Sequence, residues 1–170
     1  MKLDFLPSAS RDVWQVIDYL QKEAHKNNFD ETQCFWHCIG DITSAHKNGH
    51  LMVAKNRKKV VGYLVWVETH KYICPPVQLK LFEVFSQYRR QGVGNQMLQM
   101  FRGHLKKVLE DNWITIFIRD VSDESKPFWE KMGFCVDSTS DFDFDSEDED
   151  SDDQDEDSDS APTLLMTRTA

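Results

Sequence analysis

Val84-Phe85-Ser86-Gln87-Tyr88-Arg89-Arg90-Gln91-Gly92-Val93-Gly94-Asn95 is the stretch on which the reading of this chain turns. It closes an apolar, β-rich run (Val77 to Phe85) and opens an amphipathic one (about Gly92 to Glu110). A strand end, a tight turn and a helix start therefore fall close together. Gly92 and Gly94 let the backbone approach a ligand closely. The N–H groups of a helix start, with the positive end of its dipole, suit a phosphate. Arg89 and Arg90 would add charge-assisted hydrogen bonds. A plain strand-to-helix turn with two solvated arginines fits the same residues, so the glycine spacing alone leaves both readings open.

Outward from this turn, helical and extended patterns alternate. Phe5 and Leu6 close a short extended start, and Ser8 or Ser10 is placed to cap a helix whose buried face carries Val13, Ile17, Leu20 and Ala24. Asn27-Asn28 interrupt it. Asp30-Glu31-Thr32 starts a second helix to about His46, with Cys34, Cys38 and Ile42 in register, ended by Lys47-Asn48-Gly49. Strands Leu51 to Lys55 and Lys59 to Glu68 flank the polar turn Asn56-Arg57-Lys58. Pro75-Pro76 breaks the chain before the Val77 strand. Further on come a strand from Trp113 to Ile118 and a helix from Ser125 to Met132, with Ser125 as cap. Gly133 stops that helix, and strands at Phe134 to Val136 and Thr163 to Thr167 complete the set. The expected architecture is α/β of the α+β type. A mixed, twisted sheet of about six to seven strands is flanked by helices in one domain spanning residues 1–170.

Charge divides the chain in two. The formal net charge of the 170 residues is -9, yet residues 137–160 hold 14 acidic side chains and no Lys or Arg. Removing them leaves 15 acids (29 less 14) against 20 bases, a body of +5. The acidic stretch has only Phe142 and Phe144 as large apolar residues. It is expected to be a disordered insertion, at about 137–161, before the last strand. It reads as a solubilising insert or as a collector of cationic ligands. It can also be read as an anion that competes for the basic body. Ser146 and Ser151 precede acidic clusters and resemble acidophilic-kinase sites.

The composition narrows the function classes. No apolar run is long enough to span a membrane, and the N-terminus lacks a signal-peptide core. Cys34, Cys38, Cys74 and Cys135 have no paired CxxC spacing, and read as reduced thiols of a cytoplasmic or nuclear protein. Cys34-Phe35-Trp36-His37-Cys38 lacks a second ligand pair, so no metal is expected. Lys55-Asn56-Arg57-Lys58-Lys59 reads as a solvated turn or a nuclear-targeting cluster. Tyr63, Trp66 and Tyr72 read as core or pocket wall. Net acidity argues against nucleic acid.

Arg89-x-x-Gly92-x-Gly94, preceded by Val84 and Tyr88, resembles the pyrophosphate-binding motif of the GNAT superfamily of acetyl-CoA-dependent N-acetyltransferases. Phe128-Trp129-Glu130-Lys131-Met132-Gly133-Phe134 resembles that family's Phe-Tyr-x-x-x-Gly-Phe element, about 35 residues downstream. The order of elements agrees throughout, the acidic insertion excepted. The resemblance implies a fourth strand that splays from the fifth, with the pantetheine arm of acetyl-CoA along Phe82, Glu83 and Val84. It places the pyrophosphate on the amides of Arg90, Gln91, Gly92, Val93, Gly94 and Asn95, and Ser122, Phe128 and Trp129 beside the cofactor. It implies direct attack of an acceptor amine on the thioester, and family members often dimerise.

Measured against that pattern, four positions depart. Trp129 stands where the family often has a Tyr to protonate the thiolate. Ser122 stands for an Asn. Gln78 and Lys80 occupy positions where relatives carry a Glu or His base. Glu83 is the only acid on this strand and the tentative base. Its parity is opposite to Gln78 and Lys80, so it shares their face only if a bulge shifts the alternation. Otherwise it pairs with a nearby cation. The expected acceptor is a cationic primary amine: a polyamine, a histone-like tail or a basic peptide. Another cationic amine such as an aminoglycoside, or an acyl-CoA- or histone-binding module with little turnover, stays open.

Overall fold

The computed structural model describes residues 2–26, 33–69, 77–109, 114–119, 121–136 and 164–166. Along the chain run β1 (Asp4–Pro7), α1 (Ser10–Lys26), α2 (Gln33–Lys47), β2 (Leu51–Asn56), β3 (Lys59–Glu68) and β4 (Val77–Val84). A 3₁₀ turn (Ser86–Tyr88) leads to α3 (Val93–Val108), β5 (Ile116–Ile118), α4 (Lys126–Lys131), β6 (Cys135–Val136) and β7 (Leu164–Met166). The strands form one sheet in the order β1-β2-β3-β4-β5-β7-β6, the upper end of the expected strand count. Every pairing is antiparallel except β4 with β5. That parallel pair is bridged by α3, as the mixed α/β reading requires.

Strand periodicity sorts the core onto two faces. Leu51, Val53, Tyr63 and Val65 pack with Val13, Val16, Tyr19, Ile42 and Ala45 of α1 and α2. Met52, Leu64, Trp66, Val77 and Leu79 point the other way, to Leu98, Phe101 and Leu105 of α3 and Trp129 of α4. β3 is buried on both faces over most of its length, which explains its unbroken apolar run Val60–Val67 better than a half-exposed strand would. Each such side chain contributes about 1.5–3 kcal/mol when fully buried.

Local chemistry sets the element ends. Gly49 (φ 76) ends α2 in a Schellman motif, with His50 N–H donating to Ala45 C=O at 2.7 Å and Gly49 N–H to His46 C=O at 3.2 Å. Gly133 (φ 84) ends α4 in the same way, Phe134 N–H bonding Trp129 C=O at 3.0 Å. Two capping expectations need correction. Ser8 does not cap α1, because its hydroxyl bonds His46 Nδ1 at 2.7 Å. Asp12 reaches back instead, its Oδ2 accepting from Ala9 N–H at 2.9 Å. Ser125 sits at the N-cap of α4, but its hydroxyl donates to Ser122 C=O and caps nothing in the helix. The buried face of α1 is also rotated from the expected one. Val16 and Tyr19 are fully packed, while Ile17 and Leu20 are only partly buried.

Lys55 is not part of a solvated basic turn. Its ammonium pairs with Asp12, which is completely buried. Tyr63 and Trp66 are core. β5 begins at Ile116, later than the expected Trp113. Asn27-Asn28, Asp30-Glu31-Thr32, Tyr72, Pro75-Pro76, Trp113, the acidic stretch with Ser146 and Ser151, and the side chains of Cys34 and His37 lie outside the described residues. Among the described residues no group of three or more His, Cys, Asp or Glu is placed to hold a metal. No helix there is long and apolar enough to cross a membrane.

Candidate active site

One strand changes character midway. β4 pairs with β3 along its whole length, but with β5 only at Val77↔Ile116, Gln78↔Phe117 and Leu79↔Ile118. Trp66 lies opposite Leu79 and Val65 opposite Leu81, so Lys80 is the extra residue of a β-bulge. The bulge flips the alternation. Val77 and Leu79 face α3, and so do Phe82 and Val84, whereas Leu81 packs toward α1 and α2 and Glu83 meets Tyr19. Gln78 and Glu83, of opposite parity in the sequence, therefore lie on the same face of the sheet.

Among the described residues, no strand pairs with the second edge of β4 beyond the bulge. Phe85 N–H donates to Val61 C=O at 2.9 Å. Antiparallel alternation then turns the main-chain groups of Leu81 and Glu83 toward β3, and those of Phe82 and Val84 toward the opening. The opening is thus lined by Phe82 and Val84, while the Glu83 main chain belongs to the ladder with Tyr63.

The turn that follows is wound tightly. Tyr88 N–H bonds Phe85 C=O at 2.8 Å, and Arg90 (φ 60) and Gly92 (φ 77) both take left-handed backbone conformations. Gly92 is the N-cap of α3 and offers no side chain to cap it. The first amide paired into the helix is Gln96 N–H, bonded to Gly92 C=O at 3.2 Å. The N–H groups of Val93, Gly94 and Asn95 therefore have no intrahelical acceptor. A Cβ on Gly94 would lie 3.2 Å from the Phe128 ring, so this glycine lets α3 start against α4. An open strand edge followed by a bare helix start fits a long ligand with an apolar, amide-bearing arm and a diphosphate, as coenzyme A has.

Two sequence-selected residues turn out to be partners. Arg89 Nη2 donates to Glu83 Oε1 at 2.7 Å, and Arg89 Nε to Val84 C=O at 3.1 Å. Tyr19 of α1 joins them, donating its hydroxyl to Glu83 Oε1 at 3.3 Å and accepting from Ser86 N–H at 3.1 Å. Burial, then the Glu83 carboxylate, pushes the Tyr19 phenol up from its usual range. Burial also holds Tyr63 strongly up, with Glu83 the second cause. Both phenols are consequently neutral at physiological pH, and that of Tyr19 donates to Glu83.

Ser122 is exposed, and its hydroxyl donates to that of Ser125 at 3.0 Å. Phe128 stacks on Phe82 with centroids 5.8 Å apart. Trp129 is 5% exposed and packs edge-on against Phe82, Phe128 and Phe134, so its ring is part of the core beneath the open half of β4.

Two residues that shape this region were not singled out in the sequence. A Cβ on Gly62 would lie 2.7 Å from Glu83 C=O and 2.8 Å from Met97 Sδ, so only glycine lets α3 cross β3 there. The signal was present: an isolated glycine within an apolar strand marks a close approach. Tyr19 carried no such signal, since an aromatic residue on an amphipathic helix looks like any core residue.

Comparison with known proteins agrees with this geometry. A family profile described as "Acetyltransferase (GNAT) domain" matches residues 16–145. A comparison with curated proteins returned no match. Among solved structures, the chain is similar to an acetyltransferase of the GNAT family from Staphylococcus aureus, with TM-score 0.68 and 13% identity over 98% of this chain and 99% of that one. It is similar to the PaiA N-acetyltransferase of Thermoplasma acidophilum in complex with coenzyme A, with TM-score 0.62 and 13% identity over 99% and 100% of the two chains. It is also similar to Ard1 from Thermoplasma volcanium, with TM-score 0.63 and 19% identity over 98% of each chain.

Proposed function

The chain belongs to the GNAT acetyltransferase family, and from that premise we propose that this acetyl-CoA-dependent N-acetyltransferase acts on a primary amine of a cationic acceptor, such as a polyamine, a histone-like tail or a basic peptide. The observation that carries the reading is the parting of β4 from β5 beyond Leu79, followed by the bare start of α3. Bound acetyl-CoA supplies the acyl group as a thioester, whose carbonyl the acceptor nitrogen attacks. The C–N bond forms, the C–S bond breaks, and the proton lost by the nitrogen passes through the base and solvent to the leaving thiolate, which departs as the coenzyme A thiol. The open edge at Phe82 and Val84 would hold the pantetheine arm and offer an N–H toward the developing oxyanion. The amides of residues 90–95, with the Arg90 side chain, would hold the pyrophosphate. Phe128 and Ser122 would wall the cofactor on the α4 side, with the buried ring of Trp129 supporting Phe128 from beneath. Catalysis on this reading rests mainly on positioning. Glu83, brought onto the face of Gln78 by the bulge, is the candidate base; that role requires it to work from within its bonds to Arg89 and Tyr19.

The cationic class is supported by charge and by register. The acidic stretch joins β6 to β7, and the pairs Leu79↔Ile118, Ile118↔Leu164 and Val136↔Leu164 form one row across the sheet. Its two attachment points are thus level with the place where β4 and β5 part. Fourteen negative charges tethered there raise the local concentration of cations, an effect that salt screens. A second reading, a coenzyme-A-binding module with little turnover, is favoured by the indole of Trp129 buried where the family often has an acidic phenol.

Thiol release from acetyl-CoA tests the proposal. Spermine, spermidine, a histone-tail peptide, an aminoglycoside and a neutral amine serve as acceptors, at low and high salt. The intact chain is compared with one lacking residues 141–159. Turnover of the cationic acceptors should fall with salt and with the deletion. Equal turnover of the neutral amine would refute the cationic preference. Binding of coenzyme A without any turnover would establish the binding module instead.

A further inference from the structure

The two adjacent arginines of the turn do different work. We infer that Arg89 is a positioning residue held by Glu83 and Tyr19, and that it sets the turn from which Arg90 and the following amides meet the cofactor's pyrophosphate. This rests on the acetyl-CoA reading above and deepens it.

The Arg89 guanidinium is tied to the end of β4 although its side chain is 56% exposed. Nη2 and Nε, two points of one rigid fork, are bonded to Glu83 Oε1 and Val84 C=O, so two of the fork's donors are already committed to the end of β4. Glu83 is in turn fixed from the helix side. The Tyr19 hydroxyl bonds both the Glu83 carboxylate and Ser86 N–H, and the Tyr19 ring lies flat on Phe85, centroids 3.8 Å apart at 6°. Ser86 Oγ donates to Glu23 Oε1 at 3.1 Å, a second tie from α1. The chain from Val84 to Arg89 is thus clamped immediately before Arg90, whose φ of 60 is a conformation a non-glycine residue keeps only when its surroundings over-determine it. Arg90 itself is exposed, and among the described residues it has no hydrogen-bond or ion-pair partner. It is the arginine available to an anion. The bond to Glu83 also keeps Arg89 firmly ionised, consistent with a permanent strut.

Coenzyme A affinity measured by calorimetry on the full chain, without acceptor, decides between a strut and a phosphate ligand. Glu83→Gln and Arg89→Gln should each weaken binding roughly fivefold, a modest factor suited to a half-exposed pair. The double variant should lose about the same fivefold rather than the ~25-fold of independent sites. Arg89→Lys keeps the charge but not the fork, so it should behave like Arg89→Gln. Tyr19→Phe keeps the stacked ring and should weaken binding in the same direction without lowering the melting temperature by more than a few degrees. Arg90→Gln should weaken binding independently in every background and flatten its salt dependence, which Arg89→Gln should leave as in the parent.

Opposite results would overturn the inference. If Glu83→Gln left coenzyme affinity intact while Arg89→Gln flattened the salt dependence, Arg89 would be a phosphate ligand. If Arg89→Lys bound like the parent, charge and not the fork would be at work. If Glu83→Gln lowered turnover at unchanged coenzyme affinity, Glu83 would be the base and no strut. A parent protein that bound no coenzyme A would remove the acetyl-CoA reading and this inference together, a result distinct from normal binding with independent losses.

Discussion

The two halves of β4 have similar composition and opposite fates. Val77, Gln78 and Leu79 are paired on both edges, and Val77 and Leu79 are buried almost completely. Leu81 to Val84 are just as apolar apart from Glu83, yet all four are only partly buried and, among the described residues, one edge has no strand beside it. The difference comes from one inserted residue, Lys80, and from β5 ending at Ile118. Half-exposed apolar residues beside unpaired main-chain groups in the middle of a sheet are a cost the fold carries unless something binds there. The first half accordingly holds the molecule together, and the second waits for a ligand.

The largest expected effect separates the halves outright. Leu79→Ala removes a fully packed side chain from the core shared with Leu98, Phe101 and Leu105. It should lower unfolding free energy by about 3 kcal/mol. Coenzyme A affinity of the folded protein should stay within about twofold, since Leu79 lies before the bulge and on paired edges. Urea unfolding and calorimetry read the two quantities. A large loss of affinity would mean that the halves are not separable.

A smaller loss of stability should carry a larger loss of binding at Gly62, which lies opposite Val84 in the second half. In Gly62→Ala the new Cβ meets Met97 Sδ, which can swing aside, and Glu83 C=O, which cannot, because Glu83 is in the ladder with Tyr63. β3 and β4 must spread where β4 is already open. A destabilisation of about 2 kcal/mol is expected. Weaker coenzyme binding should accompany it. Unchanged affinity would show that the opening tolerates displacement of its own strand.

What the sequence made legible follows the same division. The strand-turn-helix from Val84 to Asn95 and the helix ended by Gly133 announce themselves through glycines, and each proved to be a place where a positive φ or a close approach is required. The face of Glu83 was not legible, because strand parity read from the sequence has no way to count a residue that the sheet leaves unpaired. Lys55 looked like one charge in a basic turn, whereas its partner Asp12 lies in a helix far away in sequence. Ser8 had the right chemistry for a cap, and His46 from α2 took its hydroxyl. In each case a local rule gave way to a contact that only the assembled sheet and helices create.

The smallest expected effect concerns pH and the helix that serves both halves. The start of α3 faces the open half of β4, while its later turns pack on the paired half. His104 sits on those later turns, its ring edge-on to Trp66 with centroids 6.3 Å apart. Burial first, and Lys107 second, push its imidazole below the ordinary 6.5. The unfolded chain then binds a proton more readily than the folded one, so stability is complete above about 6.5 and declines as pH falls toward the lowered value. His104→Gln removes that term, so its melting temperature should fall less than the parent's between pH 7.5 and 5.5. The difference should be slight, because the ring is only partly buried. Because the paired half is where His104 acts, acid should lower the melting temperature through this group without altering how coenzyme affinity responds to Arg90→Gln. A His104→Gln protein that lost coenzyme affinity at neutral pH would instead tie the two halves of β4 through α3.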